Sequence, residues 1–455
     1  MSKYLKNCYI LTSTLVGALF TLVPETVFGC TKLFAKCSDE VNIILNRVIA
    51  AIAIFIISLL IQGIVNAARC SVTIKGKNYV IKVCYGDLFK MKKYKNIICI
   101  VIVVLLFAAL TFSCWALPSK DFSDSERRKL AQFPTLSWAT LKDGSFMGKF
   151  ETYTQDQFPL RDKFRTLKAL AAYYMLGQLD NNGIYIKDGY AAKLEYPLNE
   201  KSLEHAANRF GYIYEKFLAD KDVNIYLSIV PDKSYFLADK NGYLVMDYER
   251  LFTEMREKMS FAEYIDITGT LDITDYYKTD THWRQEKLRD TAAALANAMG
   301  VKLSGEYTEE ALDHPFYGVY YGQSSLPLPA ETMYYLTNDI LAGCKVTNYE
   351  DGSVGGIYNM EKANGKDPYE MFLSGSISLL TIENPNATTD RELIVFRDSF
   401  GSSISPLLAE GYAKITLVDI RYLRTDMLAR FIEFKNQDVL FLYSTLVLNN
   451  SETLT

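Results

Sequence analysis

The sequence predicts an α/β domain with a mainly parallel sheet between helices, preceded by about three transmembrane helices. Three observations lead to this class. Long apolar runs without charge are confined to residues 1–117. Beyond them, short apolar strand patterns alternate with helical spacing, which is typical of a sheet covered on both faces. The chain has 455 residues, enough for two or three domains.

The apolar runs predict a membrane region over residues 1–117. Residues 97–117 carry no charge and are long enough to cross a hydrocarbon core of ~30 Å. Residues 48–65 form a second uncharged run, with Arg47 at its edge, and residues 8–23 form a shorter third one, limited by Pro24 and Glu25. The sequence therefore predicts helices near residues 8–28, 46–65 and 97–117.

The charges between the last two runs predict the orientation. Residues 66–95 contain eight Lys or Arg and one acid, Asp87, so the positive-inside rule places this loop in the cytoplasm. Three crossings then place everything after Leu117 outside. An alternative makes the first run a cleaved signal peptide, which leaves the C-terminal region on the same side. The predicted location is the cell membrane, multi-pass, with a large extracytoplasmic C-terminal domain. Residues 71–90 of the loop read as a small β-hairpin.

Composition excludes several classes of site. Seven of the eight Cys precede residue 118 and only Cys344 follows it, so an internal disulfide is excluded in the C-terminal region. The sequence contains no CxxC motif or Cys/His cluster, which argues against a structural zinc, and no cofactor is expected. A net charge of −4 indicates no nucleic-acid partner.

The region after the last apolar run divides into two parts. Residues 118–143 are polar and charged and are predicted to form a tether, and residues 144–455 to form the extracytoplasmic domain. Within that domain, residues 283–299 carry helical spacing. Apolar runs predict strands over residues 224–230, 392–396, 414–420 and 439–443.

One candidate site residue follows the second of these strands. Ser399 comes directly after the apolar strand and before a permissive Gly-Ser-Ser turn into a helix. Ligand sites of open α/β sheets lie at the carboxyl ends of strands, and free N–H groups at a helix start suit an oxyanion. The alternative is that Ser399 or a neighbouring serine only caps the helix.

A second candidate pair precedes the predicted helix of residues 283–299. In Asp280-Thr281-His282 an extended or turn geometry puts the acid and the imidazole on one side, so a carboxylate can hold Nδ1–H and leave Nε2 free as a base. The other two His, His205 and His314, have their acid at the adjacent position, which points elsewhere in most geometries. The alternatives are that Asp280 caps the helix and that His282 is an ordinary, partly buried histidine.

Several sequence blocks resemble one family in the same order. Residues 279–283 read Thr-Asp-Thr-His-Trp and residues 396–401 read Phe-Arg-Asp-Ser-Phe-Gly. They are similar to the DHHW-type proteins and the related alginate O-acetyltransferases, which are SGNH-hydrolase-like acetyltransferases. The similarity extends over roughly residues 118–450. Further similar blocks are residues 126–130, 156–162, 229–233 and 418–422.

The resemblance implies an SGNH-hydrolase-like fold and serine-dependent acetyl transfer to or from an extracytoplasmic polysaccharide. Ser399 matches the nucleophile, His282 the base and Asp280 the orienting acid. Where the DHHW name has two consecutive His, this chain has Thr281 before His282, which the acetyltransferase group tolerates. The resemblance also implies a multi-pass membrane acyltransferase as the partner that supplies acetyl groups, and a membrane-embedded arrangement with it.

Four further residues are candidate substrate contacts. Trp283 and Tyr321 could stack on a sugar ring, although packing in the core is the more common role of such residues. Lys233 follows a strand end and could contact an acidic glycan, or be a solvated loop charge. Arg397 precedes Ser399 and could instead form a structural ion pair.

Three functions remain open at this stage. The leading one is a polysaccharide O-acetyltransferase with an Asp280–His282–Ser399 triad. The second is a glycan acetyl esterase, in which water replaces the sugar acceptor. The third is a non-catalytic subunit that binds or assembles polysaccharide.

Overall fold

The computed structural model describes residues 95–455. The chain divides into two compact units, Met1–Leu117 and Pro118–Thr455. In the first unit the described element is helix α1, Lys95–Ala116. The predicted helices near 8–28 and 46–65, the predicted hairpin of residues 71–90 and nearly all of the predicted cytoplasmic loop lie outside the described residues.

The membrane prediction is corrected for the described part of the chain. No helix of residues 95–455 qualifies as a membrane span. The prediction of transmembrane helices before the α/β domain, and with it the multi-pass membrane location, is therefore wrong there. It rested on an uncharged sequence window, residues 97–117, of which all but the last lie in helix α1. Helix α1 begins earlier, at Lys95, and its last turns contain Thr111 and Ser113, whose hydroxyls donate to helix carbonyls.

The second unit contains twelve labelled helices and fourteen strands among the residues that the structure describes. The helices are α2 Trp138–Lys142, α3 Ser145–Asp156, α4 Arg161–Leu170, α5 Glu200–Ile213, α6 Lys233–Leu237, α7 Tyr248–Lys258, α8 Arg289–Ala298, α9 Val319–Ser324, α10 Asp339–Gly343, α11 Met360–Ala363, α12 Gly401–Leu408 and α13 Thr445–Asn449. The strands are β1 Phe122–Ser123, β2 Arg128–Lys129, β3 Ile184–Lys187, β4 Tyr190–Lys193, β5 Ile225–Val230, β6 Glu263–Tyr264, β7 Thr308–Ala311, β8 Tyr334–Thr337, β9 Lys345–Asn348, β10 Val354–Gly355, β11 Leu379–Glu383, β12 Glu392–Arg397, β13 Lys414–Val418 and β14 Asp438–Ser444.

The centre of this unit is an eight-stranded sheet in the order β10-β9-β11-β13-β12-β14-β5-β6. Strands β13, β12, β14, β5 and β6 are parallel, whereas β11, β9 and β10 add an antiparallel edge. The sheet is therefore mixed, and the predicted mainly parallel sheet lacked this edge. The strands of this antiparallel edge are short and lie between residues 345 and 383, where the sequence predicted no strand. A turn at Gly352, whose φ is 74°, joins β9 to β10.

Both faces of the sheet are buried. Along β12, Leu393 and Val395 point into one apolar cluster, while Ile394 and Phe396 point into another on the opposite face. Alternation of this kind explains why the central strands read as continuous apolar runs. Because β5, β12 and β14 are parallel, their carboxyl ends meet at one edge of the sheet. The segments that follow these strands therefore lie close together.

The helix predicted from Trp283 begins later. Tyr276 and Trp283 form an isolated antiparallel bridge, a 3₁₀ turn follows at Gln285–Lys287, and α8 starts at Arg289. The bridge closes a loop, residues 277–282, in which the Tyr277 N–H donates to the His282 carbonyl at 3.1 Å. We call residues 277–282 the His loop.

The segment predicted as a tether, residues 118–143, contacts the rest of the second unit. Both terminal nitrogens of Arg128 donate to the buried Asp156 carboxylate, at 2.8 and 2.5 Å. Arg127, in a left-handed conformation with φ 51°, donates from Nη1 to Asp367 Oδ2 at 2.5 Å. Arg127 also donates from Nη2 to the Tyr317 carbonyl at 2.8 Å and lies 3.7 Å from Asp280, which fixes the β1–β2 hairpin beside the start of helix α9 and the His loop.

Candidate active site

Two loops bring Asp280, His282 and Ser399 together. Ser399 lies between the end of β12 and the start of α12, and the other two residues lie in the His loop. The His282 Nδ1 atom is 2.6 Å from Asp280 Oδ1, and its Nε2 atom is 2.8 Å from the Ser399 hydroxyl oxygen. The three side chains therefore form one hydrogen-bonded chain, in which His282 and Ser399 are 117 positions apart in sequence. Such a chain has the geometry needed to remove a proton from a serine.

The Asp280 carboxylate is fully buried and accepts hydrogen bonds on both oxygens. Besides the imidazole, Oδ1 accepts the His282 N–H at 3.1 Å, and Oδ2 accepts the Val319 N–H at 2.7 Å. Arg127 Nη1 lies 3.7 Å from Oδ2. Burial raises the pKa of Asp280, but His282, Arg127 and the Val319 N–H outweigh it and hold that pKa well below its ordinary value. The carboxylate is therefore ionised across the neutral range.

The His282 ring is held between aromatic side chains. It stacks on Tyr369, with ring centroids 3.8 Å apart and an angle of 7° between the planes, and Phe400 lies 5.1 Å away. The Tyr369 hydroxyl is itself 2.8 Å from Ser403 Oγ in α12. Stacking from one side and the Asp280 bond at Nδ1 leave the imidazole one orientation, in which Nε2 faces Ser399.

The turn that carries Ser399 is fixed by residues on either side of the serine. The Asp398 carboxylate accepts the Phe400 N–H at 3.0 Å and the Ser444 N–H at 2.8 Å, which ties the turn to the end of β14. A Cβ at Gly401 would lie 2.6 Å from the Arg397 Cβ, so the close return of the chain requires glycine there. Asp398 and Gly401 thus shape the turn, while the Ser399 side chain stays partly exposed.

Three of the four predicted substrate contacts are buried. Trp283 and Arg397 are 0% exposed and Lys233 is 2% exposed. Arg397 donates to Ser402 Oγ at 3.0 Å and lies 3.9 Å from Asp419, so it stabilises the turn that carries Ser399 from the buried side. Side chains without solvent contact cannot touch a sugar at the surface, which corrects the prediction for these three residues.

Tyr321, the fourth predicted contact, lines a cleft. The cleft has a volume of about 270 Å³, and its wall includes Arg127, Tyr317, Gly318 and Lys366. The rings of Tyr317 and Tyr321 are 4.7 Å apart and form its aromatic part. Since Arg127 contacts both the cleft and Asp280, the cleft adjoins the acid side of the three-residue chain.

Sequence reasoning missed three side chains that contact the His loop but lie far from it in sequence. Arg127 belongs to a block quoted for its family similarity, but nothing in the sequence connected it to Asp280. Tyr369 and Glu331 stand in stretches without any recognisable motif. Among residues 95–455, no group of three or more His, Cys, Asp or Glu is placed to hold a metal ion.

Replacing Trp283 by phenylalanine is expected to destabilise the fold by about 1–3 kcal/mol. The Trp283 Nε1–H donates to Ser403 Oγ at 2.8 Å and to the Phe400 carbonyl at 3.2 Å, and phenylalanine removes this donor while keeping a ring. Urea unfolding measures the change. Trp138→Phe is the control, since Trp138 is 83% exposed and its loss should cost less than about 0.5 kcal/mol. Equal effects of the two substitutions would contradict the role assigned to Trp283.

Comparisons with known proteins find similar structures only. No family profile matches the chain, and no curated protein matches it. A DHHW family protein from Eubacterium siraeum has 20% identity and a TM-score of 0.49, covering 60% of this chain and 95% of that one. Bacillus cereus PatB1, solved with a sulfonyl adduct, has 21% identity and a TM-score of 0.48, covering 58% and 95%.

A third similar structure is the O-acetyltransferase domain of Pseudomonas putida AlgJ. It has 14% identity and a TM-score of 0.38, covering 59% of this chain and 92% of that domain. A DHHW protein and an AlgJ domain are thus both among the similar structures, which is the resemblance that the sequence motifs indicated.

Proposed function

We propose that this chain is a serine-dependent O-acetyltransferase that acetylates a hydroxyl group of a polysaccharide. Ser399 is the nucleophile, His282 the general base and Asp280 the acid that orients it. The observation that carries the proposal is the pair of contacts made by one imidazole, 2.6 Å to Asp280 and 2.8 Å to Ser399. The choice of acetyl group and of polysaccharide rests on the resemblance of the motifs in residues 279–283 and 396–401.

In the first half of the reaction, His282 Nε2 takes the proton of the Ser399 hydroxyl as Oγ attacks the carbonyl carbon of an acetyl ester. The tetrahedral intermediate collapses, the ester bond breaks, and the leaving oxygen takes the proton from Nε2. Ser399 is then acetylated. In the second half, Nε2 removes the proton of the acceptor hydroxyl, that oxygen attacks the acetyl carbon, and Ser399 Oγ recovers a proton from His282.

Asp280 serves both halves in the same way. Its ionised carboxylate keeps the Nδ1–H tautomer, so Nε2 is free to accept a proton, and it stabilises the imidazolium that forms. The carboxylate needs no proton of its own for this role, which agrees with the low pKa of Asp280. We propose that a multi-pass membrane acyltransferase supplies the acetyl group, as the family resemblance implies.

Acetylation of Ser399 tests the proposal. The purified protein is incubated with 4-nitrophenyl acetate, quenched in acid and digested, and the peptide containing Ser399 is analysed by mass spectrometry. We expect one acetyl group on Ser399 in the wild type and none in Ser399→Ala. Ser405→Ala is the matched control from helix α12, which follows the turn, because Ser405 Oγ is buried without a hydrogen-bond partner in the part of the chain that the structure describes.

The acceptor is tested with the same protein. Oligosaccharides added to the acetylated enzyme should gain the acetyl group and shorten the lifetime of acetyl-Ser399. Release of free acetate without any acetylated sugar would instead identify an esterase. If the peptide containing Ser399 is detected in the wild type but carries no acetyl group, Ser399 is rejected as the nucleophile.

A further inference from the structure

The least expected side chain near the site is a buried lysine. Lys233 starts helix α6 directly after β5 and is only 2% exposed. Its Nζ donates to the Tyr277 carbonyl at 2.9 Å and to the Lys278 carbonyl at 3.3 Å, and it lies 4.9 Å from the centre of the Tyr320 ring. Burying an ammonium group costs several kcal/mol unless its donors are satisfied, so this placement calls for a specific role.

A carboxylate holds the same short segment through its N–H groups. The Glu331 carboxylate accepts the Lys278 N–H, the Thr279 N–H and the Thr279 hydroxyl, each at 2.8 Å. Lys233 donates hydrogen bonds to the carbonyls of this segment, and Glu331 accepts hydrogen bonds from its N–H groups. Opposite charges therefore bind residues 277–279, the part of the His loop that leads into Asp280.

The segment has little freedom left between these two charges. Thr279 Oγ1 also accepts the Gly318 N–H at 2.9 Å, and the Thr279 carbonyl accepts the Tyr320 N–H at 3.0 Å. The Tyr320 hydroxyl donates to Thr281 Oγ1 at 3.0 Å. Asp280 and His282 extend from a backbone whose polar groups are held by side chains and by the start of helix α9.

We propose that Lys233 and Glu331 are positioning residues, a clamp of opposite charges that sets the reach of His282 to Ser399. The inference rests on the proposed function, because it concerns the same triad. Neither residue touches the reacting atoms. Both act through the peptide groups of residues 277–279, and a shift of about 1 Å at a reacting centre can cost about 100-fold in rate.

The Lys233 end of the clamp carries its positive charge below about pH 7. Burial lowers the pKa of Lys233 to about 7, and the negative charges of Asp280, Glu331 and Asp232 act against that fall. These are the charged groups that face the ammonium. A methionine at this position would avoid the cost of burial but would leave the Tyr277 and Lys278 carbonyls without this donor.

The test compares Lys233→Met and Glu331→Gln with the full-length wild type. Methionine keeps length and removes the charge and the donors, while glutamine keeps the shape and removes the negative charge. Lys302→Met is the matched control, since it makes the same kind of substitution at an exposed lysine that lies outside the His loop. The kcat and KM for 4-nitrophenyl acetate and the proton resonance of the His282 Nδ1–H are measured for each.

We expect both clamp variants to lose about 10- to 100-fold in kcat with KM within about twofold of the wild type. The Nδ1–H resonance should shift or broaden in both and stay unchanged in Lys302→Met. A side chain that only stabilised the fold would lower the melting temperature and leave kcat and the resonance as in the wild type, and that result would overturn the proposal.

Glu331→Gln keeps the test decisive if Lys233→Met does not fold, because Glu331 is partly exposed. An unchanged kcat and resonance in Glu331→Gln alone would already reject the clamp. If the wild type forms no acetyl-Ser399, the proposed function fails, whereas the resonance still reports whether the clamp positions His282.

Discussion

Replacing His282 by alanine is expected to reduce the rate of Ser399 acetylation by about four to six orders of magnitude, which is the range for removing one member of a serine triad. The imidazole is the single group within hydrogen-bonding distance of both Asp280 and Ser399 in the described structure. Without it, the serine hydroxyl keeps its proton in the ground state. The rate is measured from the release of 4-nitrophenol under single-turnover conditions.

Asp280→Asn separates orientation from proton removal. The amide cannot carry the negative charge, and its Nδ2 group would favour the wrong imidazole tautomer, so a loss of about 10³- to 10⁴-fold is expected. The double variant His282→Ala/Asp280→Asn should be no slower than His282→Ala alone, because the acid acts through the base. This non-additivity distinguishes a working triad from two independent effects on stability.

His205→Ala is the matched control for these variants. His205 lies in helix α5, where its Nδ1 atom is 3.2 Å from Ser451 Oγ, and it does not contact the His loop. The rate of Ser399 acetylation in His205→Ala should equal that of the wild type. If His282→Ala kept more than about a hundredth of the wild-type rate while His205→Ala was unchanged, the assignment of His282 as the base would be wrong.

The strands that carry the site were predictable because burial on both sides leaves a simple signature. Residues 225–230, 392–397 and 438–444 are strands within one or two residues of the predicted limits. A parallel strand in the middle of a sheet is apolar on both faces, so it reads as a continuous run. The antiparallel edge strands β9 and β10 contain polar or small residues and are held by one turn, so no run marks them.

The supporting side chains of the site were not predictable, since their partners lie far away in sequence. Arg127 reaches Asp280 from the β1–β2 hairpin, and Glu331 reaches the His loop from a stretch without regular structure. The sequence marks Lys233 by its place at a strand end and predicts a solvent-facing side chain, whereas the structure buries it. Position along the chain predicts which edge of the sheet a residue is near, whereas only the packing decides whether it is buried.

The second large effect is expected at Gly318, where alanine should impair the site without removing any charged group. Gly318 has φ −78° and ψ 175°, which any residue adopts, so its backbone conformation does not require glycine. The requirement is space. A Cβ at this position would lie 2.3 Å from the Cα and Cβ of Asp280, and both atoms belong to a fully buried residue.

The two segments must therefore move apart in Gly318→Ala. The hydrogen bonds from the Gly318 N–H to Thr279 Oγ1 and from the Val319 N–H to Asp280 Oδ2 lie at this contact, so Asp280 would lose a partner and change its position relative to His282. We expect kcat for acetylation of Ser399 to fall about 100-fold. Overpacking should also lower the free energy of unfolding by about 1–3 kcal/mol.

Gly211→Ala is the matched control, because a Cβ at Gly211, inside helix α5, meets no atom within 4 Å. It should leave kcat unchanged and raise the stability of the helix by up to about 1 kcal/mol. Stopped-flow acetylation and urea unfolding of both variants give the two quantities. If Gly318→Ala lost stability but kept the wild-type kcat, the close approach of helix α9 would matter for folding and not for the position of Asp280.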